Sequence, residues 1–186
     1  MADTLTTETP VAQVTVRTDD PATIARLGLP AACSISRGPD GTAAVWLGPD
    51  EWLLYRGGIA PRDFVAEMET LCGSGAYVCD TSAQRTRIVL DGPHARTLLA
   101  HGCAIDLDER SFDENAAAQT LLAQAGVILH RADSEVDGAA GFVIFVRSSF
   151  ADYLTAWLID SGVEYRAIEN TAPQNTANSH LKAPTP

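Results

Sequence analysis

From Val11 to Ile168, stretches in which apolar residues recur at every second position alternate with stretches in which they recur at every third or fourth. Strands that are apolar on one face and helices that are apolar along one stripe must cover each other, so the pattern specifies an α+β protein. Val11, Val14 and Val16 open the first strand-like run. Asp19-Asp20-Pro21 then supplies an acidic N-cap and a proline suited to the first helical position, and Gly28 supplies a stop. Strands are expected at Ala32–Ser36, Thr42–Leu47 and Trp52–Arg56, the last two joined by the turn Gly48-Pro49-Asp50-Glu51. A helix after Pro61 gathers Phe64, Val65, Met68, Leu71 and Cys72 on one side and ends at Gly73, before a short strand at Ala76–Cys79.

The same order returns further on. Arg85–Leu90 reads as a strand, and Asp91-Gly92-Pro93 starts a helix with Leu98 and Leu99 that stops at Gly102. Ala117–Arg131 is strand with a break expected near Gly126, and Gly141–Arg147 is a buried strand. Phe150, Tyr153, Leu154, Trp157 and Leu158 form a helical stripe behind a capping-box-like Ser149 and Asp152, and Val163–Ile168 closes the order. Two ferredoxin-like split β-α-β halves with antiparallel sheets, over 11–84 and 85–168, are therefore expected. Residues 1–10 and 169–186 offer little to bury and are expected to be disordered tails.

Composition narrows the function. Of 186 residues, 13 are Lys or Arg and 24 are Asp or Glu, giving a net charge of −11, and Lys182 is the sole lysine. Such a chain repels phosphate backbones and anionic lipid surfaces, which argues against nucleic-acid and membrane partners. It has no run of about 20 apolar residues that could cross a bilayer. Residues 1–10 lack the basic and apolar regions of a signal peptide, and a cytoplasmic setting is expected. There the cysteines at 33, 72, 79 and 103 are expected to act as small buried hydrophobes.

Sites of familiar chemistry are hard to assemble. A phosphate cradle needs clustered glycines opening a helix, whereas Gly73-Ser74-Gly75 and Gly138–Gly141 lack that context. His94 and His101 lie seven apart on the expected helix, roughly 10 Å along its axis, too far to share an ion with Cys103. His130 and His180 have no ligands near them in sequence, and Asp80, Ser82 and His94 lack the strand–turn–helix elbow of a nucleophile. No catalytic, cofactor-binding or metal residue is expected. The candidates for an interface are Trp46 and Trp52, which flank the turn, Asp50 and Glu51 within it, and Arg85 and Arg87, which share a strand face.

Three strings then point to a family: WLGPDEWLL at 46–54, DTSAQRTRI at 80–88 and DGPHARTLLAHGCAIDL at 91–107, followed by AQTLLAQAGVILHR at 118–131 and VRSSFADYLTAWL at 146–158. Together they resemble the gamma-subunit family of heterotetrameric sarcosine oxidases, across most of 11–168. More distantly the pattern is similar to the folate-binding domain of aminomethyltransferases, the glycine cleavage T-proteins. The resemblance implies a non-catalytic structural subunit of a complex that oxidatively demethylates sarcosine to glycine with flavin and oxygen, coupled to tetrahydrofolate. It further implies alpha, beta and delta partner subunits, with docking mainly on alpha. FAD, FMN, NAD, tetrahydrofolate and zinc would reside on those partners, with none on this chain. The acidic folate-site residue of the related fold has no match at any position here. Two alternatives stay open: a free-standing folate-binding or aminomethyltransferase-like protein, and a subunit of a related amine oxidase or demethylase.

Overall fold

The structure, a computed structural model, describes residues 3–8, 11–132, 140–163 and 168–171. Among the described residues eleven strands form two sheets. The first half of the chain contributes β2 (Ala12–Arg17), α1 (Pro21–Leu27), β3 (Ile35–Arg37), β4 (Ala43–Gly48), β5 (Glu51–Arg56), α2 (Pro61–Cys72) and β6 (Tyr77–Asp80). Its five-stranded sheet runs β3-β4-β5-β2-β6, antiparallel throughout. The remainder contributes β7 (Arg85–Asp91), α3 (Ala95–Ala100), β8 (Ala117–Leu122), β9 (Ala125–Ala132), β10 (Gly141–Arg147), α4 (Ala151–Ser161) and β11 (Ile168–Thr171). These strands join β1 (Asp3–Glu8) in the order β11-β1-β7-β10-β9-β8.

Both sheets contain the split β-α-β arrangement. In the first, β2, β4, β5 and β6 take the four positions, with β3 appended at one edge. In the second, β7, β9, β10 and β11 follow the same chain order with β8 appended at the equivalent edge, but β1 is inserted between β7 and β11, antiparallel to the first and parallel to the second. The halves thus share most of an order that the sequence repeats only faintly, and the second departs from it where β1 enters the sheet.

Burial follows from this layering. Ala95, Leu98 and Leu99 of α3 and Leu154 and Leu158 of α4 pack on Ile88, Leu90, Phe142 and Ile144. Phe64, Met68 and Cys72, four residues apart along α2, pack on Val14, Val16, Trp52 and Leu54. Between the sheets a third cluster joins Val45, Leu53 and Tyr55 to Ile128, Val143 and Phe145. The order is helix, sheet, sheet, helix. Because β10 is covered on both faces, Gly141–Val146 is buried without interruption, which explains its unbroken apolar run.

Local chemistry accounts for the ends of elements. The Asp20 carboxylate accepts from the backbone N–H of Ala22 at 3.2 Å and of Thr23 at 3.0 Å, and Gly28 closes α1 in the left-handed region at φ 60°. Arg26 donates from α1 to the carbonyls of Leu71 and Cys72, tying α1 to the end of α2.

Several expectations are corrected. The start of the chain is not a free tail, because Asp3–Glu8 pairs antiparallel with β7 and parallel with β11, and Leu5 is fully buried among helix-facing residues. Polar Thr and Glu positions in this strand hid one essential apolar contact. The second sheet is therefore not confined to 85–168. At the far end, residues 169–171 extend β11 beyond the boundary expected at Ile168, and 172–186 lie outside the described residues. Much of the strand expected over 163–168 also lies outside them, at 164–167.

The break in Ala117–Arg131 falls at Ala123-Gln124, where Ala123 has φ 52°, and not at Gly126. Strand β3 begins only at Ile35 because Cys33 turns the backbone at φ 58°. Cys33 and Cys79 are exposed, one in that turn and one on an edge strand, and Cys72 alone is buried. No Ser149 side-chain cap forms, since a 3-10 turn over Ser148–Phe150 precedes α4. Phe150 and Tyr153 are exposed, so the buried stripe of α4 narrows to Leu154 and Leu158, with Trp157 packed partly against it.

Candidate functional site

The inter-sheet layer carries polar groups as well as apolar ones. Alternation along β5 points Glu51, Leu53 and Tyr55 to this layer, and alternation along β7 points Arg85, Arg87 and Val89 into it from the other sheet. The Tyr55 hydroxyl lies 2.9 Å from His130 Nε2, and His130 Nδ1 lies 2.6 Å from the Arg131 carbonyl. A carbonyl only accepts, so Nδ1 carries the proton and Nε2 accepts from Tyr55. Burial pushes the His130 imidazole down to about 3, with the charges of Arg37 and Arg87 adding to the effect and the Arg131 carbonyl opposing it. Phe145 stacks edge-on against Tyr55 with centroids 4.8 Å apart, and the Arg87 guanidinium lies 5.6 Å from the Tyr55 ring centre.

Two seams close the layer. On one side Ala117 N–H donates to the Cys33 carbonyl at 3.0 Å, Ile35 N–H to Asn115 at 2.9 Å, and Gln119 Nε2 to Leu47 at 2.7 Å. On the other, Gln13 Nε2 donates to the Arg85 carbonyl at 2.9 Å, and the Ser82 hydroxyl bonds both backbone groups of Gln13.

Beyond Phe145 the layer opens into a cleft of about 360 Å³, lined by Arg85, Arg147, Phe145, Ile128 and Leu121 among others. Arg85 and Arg147 stand directly opposite each other on β7 and β10. Burial lowers the proton affinity of Arg85 and the neighbouring Arg147 charge lowers it further, while Glu51 acts in the other direction.

The interface candidates do not share one surface. Trp46 and Trp52 are cross-strand partners, as their spacing implies, but they face the helices of the first half. Trp52 is 3% exposed and donates from Nε1 to the Pro30 carbonyl at 2.9 Å, which makes it a core residue; Trp46 is half-buried beside it. Asp50 pairs with Arg17 at 2.7 Å at the turn. Glu51, Arg85 and Arg87 come together at the inter-sheet layer. Tyr55, His130 and Arg147 belong with them; the sequence offers His130 only as a metal ligand without neighbours and gives no sign of Tyr55 or Arg147. Register alone reveals them: His130 looks like a lone strand histidine, and Arg147 ends an apolar strand whose partner is unknown until the sheet is built.

The other sequence candidates stay apart. Ser82 is occupied with Gln13 and its own N–H is held by Asp80, whereas His94 bonds to buried Asp3 through its N–H and Nδ1. Among the described residues no three His, Cys, Asp or Glu side chains gather as a metal site, so His94, His101 and Cys103 do not fit zinc. No helix among the described residues is long and apolar enough to cross a membrane. The fold is an α+β sandwich of two largely antiparallel sheets with helices outside, in which a few polar side chains turn toward the inter-sheet layer.

Comparison with known proteins places it more narrowly. Residues 18–164 match the sarcosine oxidase, gamma subunit family. The sarcosine oxidase subunit gamma of Corynebacterium sp. strain U-96 is 38% identical over 148 residues, covering 77% of this chain and 67% of the relative. That of Corynebacterium sp. strain P-1 is 37% identical over 142 residues, covering 74% and 66%. The Arthrobacter sp. protein of the same name is 36% identical over 129 residues, and the match spans 59% of its length. The matched segment thus spans about two thirds or less of the curated relatives. A chain in the structure of heterotetrameric sarcosine oxidase from Corynebacterium sp. U-96, in complex with pyrrole 2-carboxylate, superposes with a TM-score of 0.76 at 31% identity, over 90% of this chain and 87% of that one. The glycine cleavage system aminomethyltransferase T of Bartonella henselae superposes with a TM-score of 0.66 at 19% identity, over 91% of this chain and 48% of that one, a likeness of fold alone. This chain belongs to the sarcosine oxidase gamma subunit family.

Proposed function

We propose that this chain is a structural subunit of a heterotetrameric sarcosine oxidase, contributing surface and stability to a complex whose chemistry resides elsewhere. The observation that carries the reading is the superposition along nearly the whole chain with a chain of a heterotetrameric enzyme. In that role it docks mainly on the alpha subunit, with beta and delta completing a cytoplasmic assembly that demethylates sarcosine to glycine. FAD, FMN, NAD, tetrahydrofolate and zinc sit on those partners. The residues described here do not fit these groups: the glycines open no phosphate-binding helix and the histidines gather no ligand set.

The test is reconstitution. Partner subunits prepared without this chain should form an incomplete or less stable oxidase, and adding the purified chain should restore stable sarcosine turnover and peroxide formation. Turnover by the chain alone, or stoichiometric retention of flavin, folate or zinc after its purification, would overturn the proposal.

A further inference from the structure

We infer that Arg85 and Arg147 form a socket for a carboxylate on a partner subunit, at the open end of the layer between the two sheets. The inference rests on the subunit reading above and specifies part of the docking surface.

Three observations lead to it. First, β7 and β10 place Arg85 and Arg147 directly opposite each other. Like charges at that position repel, and a chain of net charge −11 has few cations to spend on a repulsive pair. Second, Arg85 Nη1 is buried and has no hydrogen-bond acceptor among the described residues. A guanidinium donor in that state lacks the charge-assisted partner that normally compensates its loss of water. Glu51 acts on Arg85 through space without a hydrogen bond among the described residues. Third, the two arginines border a cleft of about 360 Å³ walled by Phe145 and Ile128, with Leu121 at its rim.

The rim selects the class of occupant. Leu121 is 54% exposed and Arg147 is exposed beside it. A protein segment bearing Asp or Glu covers that apolar rim while its carboxylate reaches both guanidinium groups, whereas a small free anion satisfies the charges and leaves the rim wet. The arrangement matches the interface pattern of an anchoring charge beside an apolar contact.

The experiment titrates the purified full chain against the remaining assembled subunits, at low and moderate salt, for the wild type, Arg147→Gln, Arg147→Glu and Arg85→Gln. Melting temperatures of the free variants report folding, and Arg147→Gln at its exposed position is the variant least able to disturb it. The socket predicts at least a tenfold weaker affinity for Arg147→Glu and a shallower salt dependence for both neutral variants. Variants that bind like the wild type at both salt concentrations overturn it. So does stoichiometric, Arg147-dependent binding of citrate to the isolated chain, or an Arg147-dependent dimer of this chain, since either names a different occupant. If the wild type itself fails to bind, the subunit reading falls and takes the socket with it.

Discussion

Tyr55 and His130 meet across the two sheets, with the phenol oxygen 2.9 Å from the imidazole Nε2 in a layer where both side chains are buried. One residue comes from each half of the chain, so this hydrogen bond links the two sheets through side chains. Tyr55→Phe keeps the ring and removes the donor, leaving Nε2 buried without it. The expected loss is about 1–3 kcal/mol, read from urea unfolding; an unchanged midpoint would mean that Nε2 finds another partner.

His130 also makes stability depend on pH. Its folded-state value of about 3 lies below the ordinary imidazole value near 6.5, so the unfolded chain takes up the proton first. The stabilisation is fully present above pH 6.5 and is lost as pH falls toward 3, by at most about 1.4 kcal/mol per pH unit. Unfolding at pH 7 and pH 5 should show a drop roughly 2 kcal/mol larger for the wild type than for His130→Gln. Equal drops would show that the imidazole reaches water.

The first strand gives a sharper contrast. Leu5 is fully buried in β1, between β7 and β11. Leu5→Ala should cost about 2–5 kcal/mol, as for other large-to-small core changes. A disordered start would predict no cost, so calorimetric melting of this one variant decides between the two.

Gly92 supports the same strand from the opposite side. Its φ is 138°, and an added Cβ would lie 2.7 Å from the Asp3 Cα. Gly92→Ala should therefore displace β1 and expose its amides, visible as accelerated hydrogen exchange over 3–8; unchanged protection there would contradict the close approach.

The α1 cap makes a smaller, local prediction. Asp20→Ala removes the acceptor for two backbone N–H groups and should cost about 1 kcal/mol. A denaturant midpoint equal to that of the parent would show that water replaces the cap without loss.

Elements with strong local signals were legible from sequence. Pro21 and Gly28 bracket α1, Pro61 and Gly73 bracket α2, and the apolar run of Gly141–Arg147 marks a strand covered on both faces. Asp3–Glu8 was not, because only Leu5 in that polar string is a large apolar residue and its partners lie more than 80 positions away. The candidate site was half legible for the same reason. Spacing of two puts Arg85 and Arg87 on one strand face, but pairing Arg85 with Arg147 and Tyr55 with His130 needs sheet register and the stacking of one sheet on the other. The tryptophans mislead in the opposite direction: residues favoured at interfaces are equally suited to cores, and Trp52 is core.

The most direct measurement is the native mass of the complex recovered when this chain is co-expressed with the three candidate partner subunits and purified through one of them. A structural subunit predicts a single species containing one copy of each chain, this one included. A species of the partners alone, with this chain eluting separately as a monomer, would contradict it.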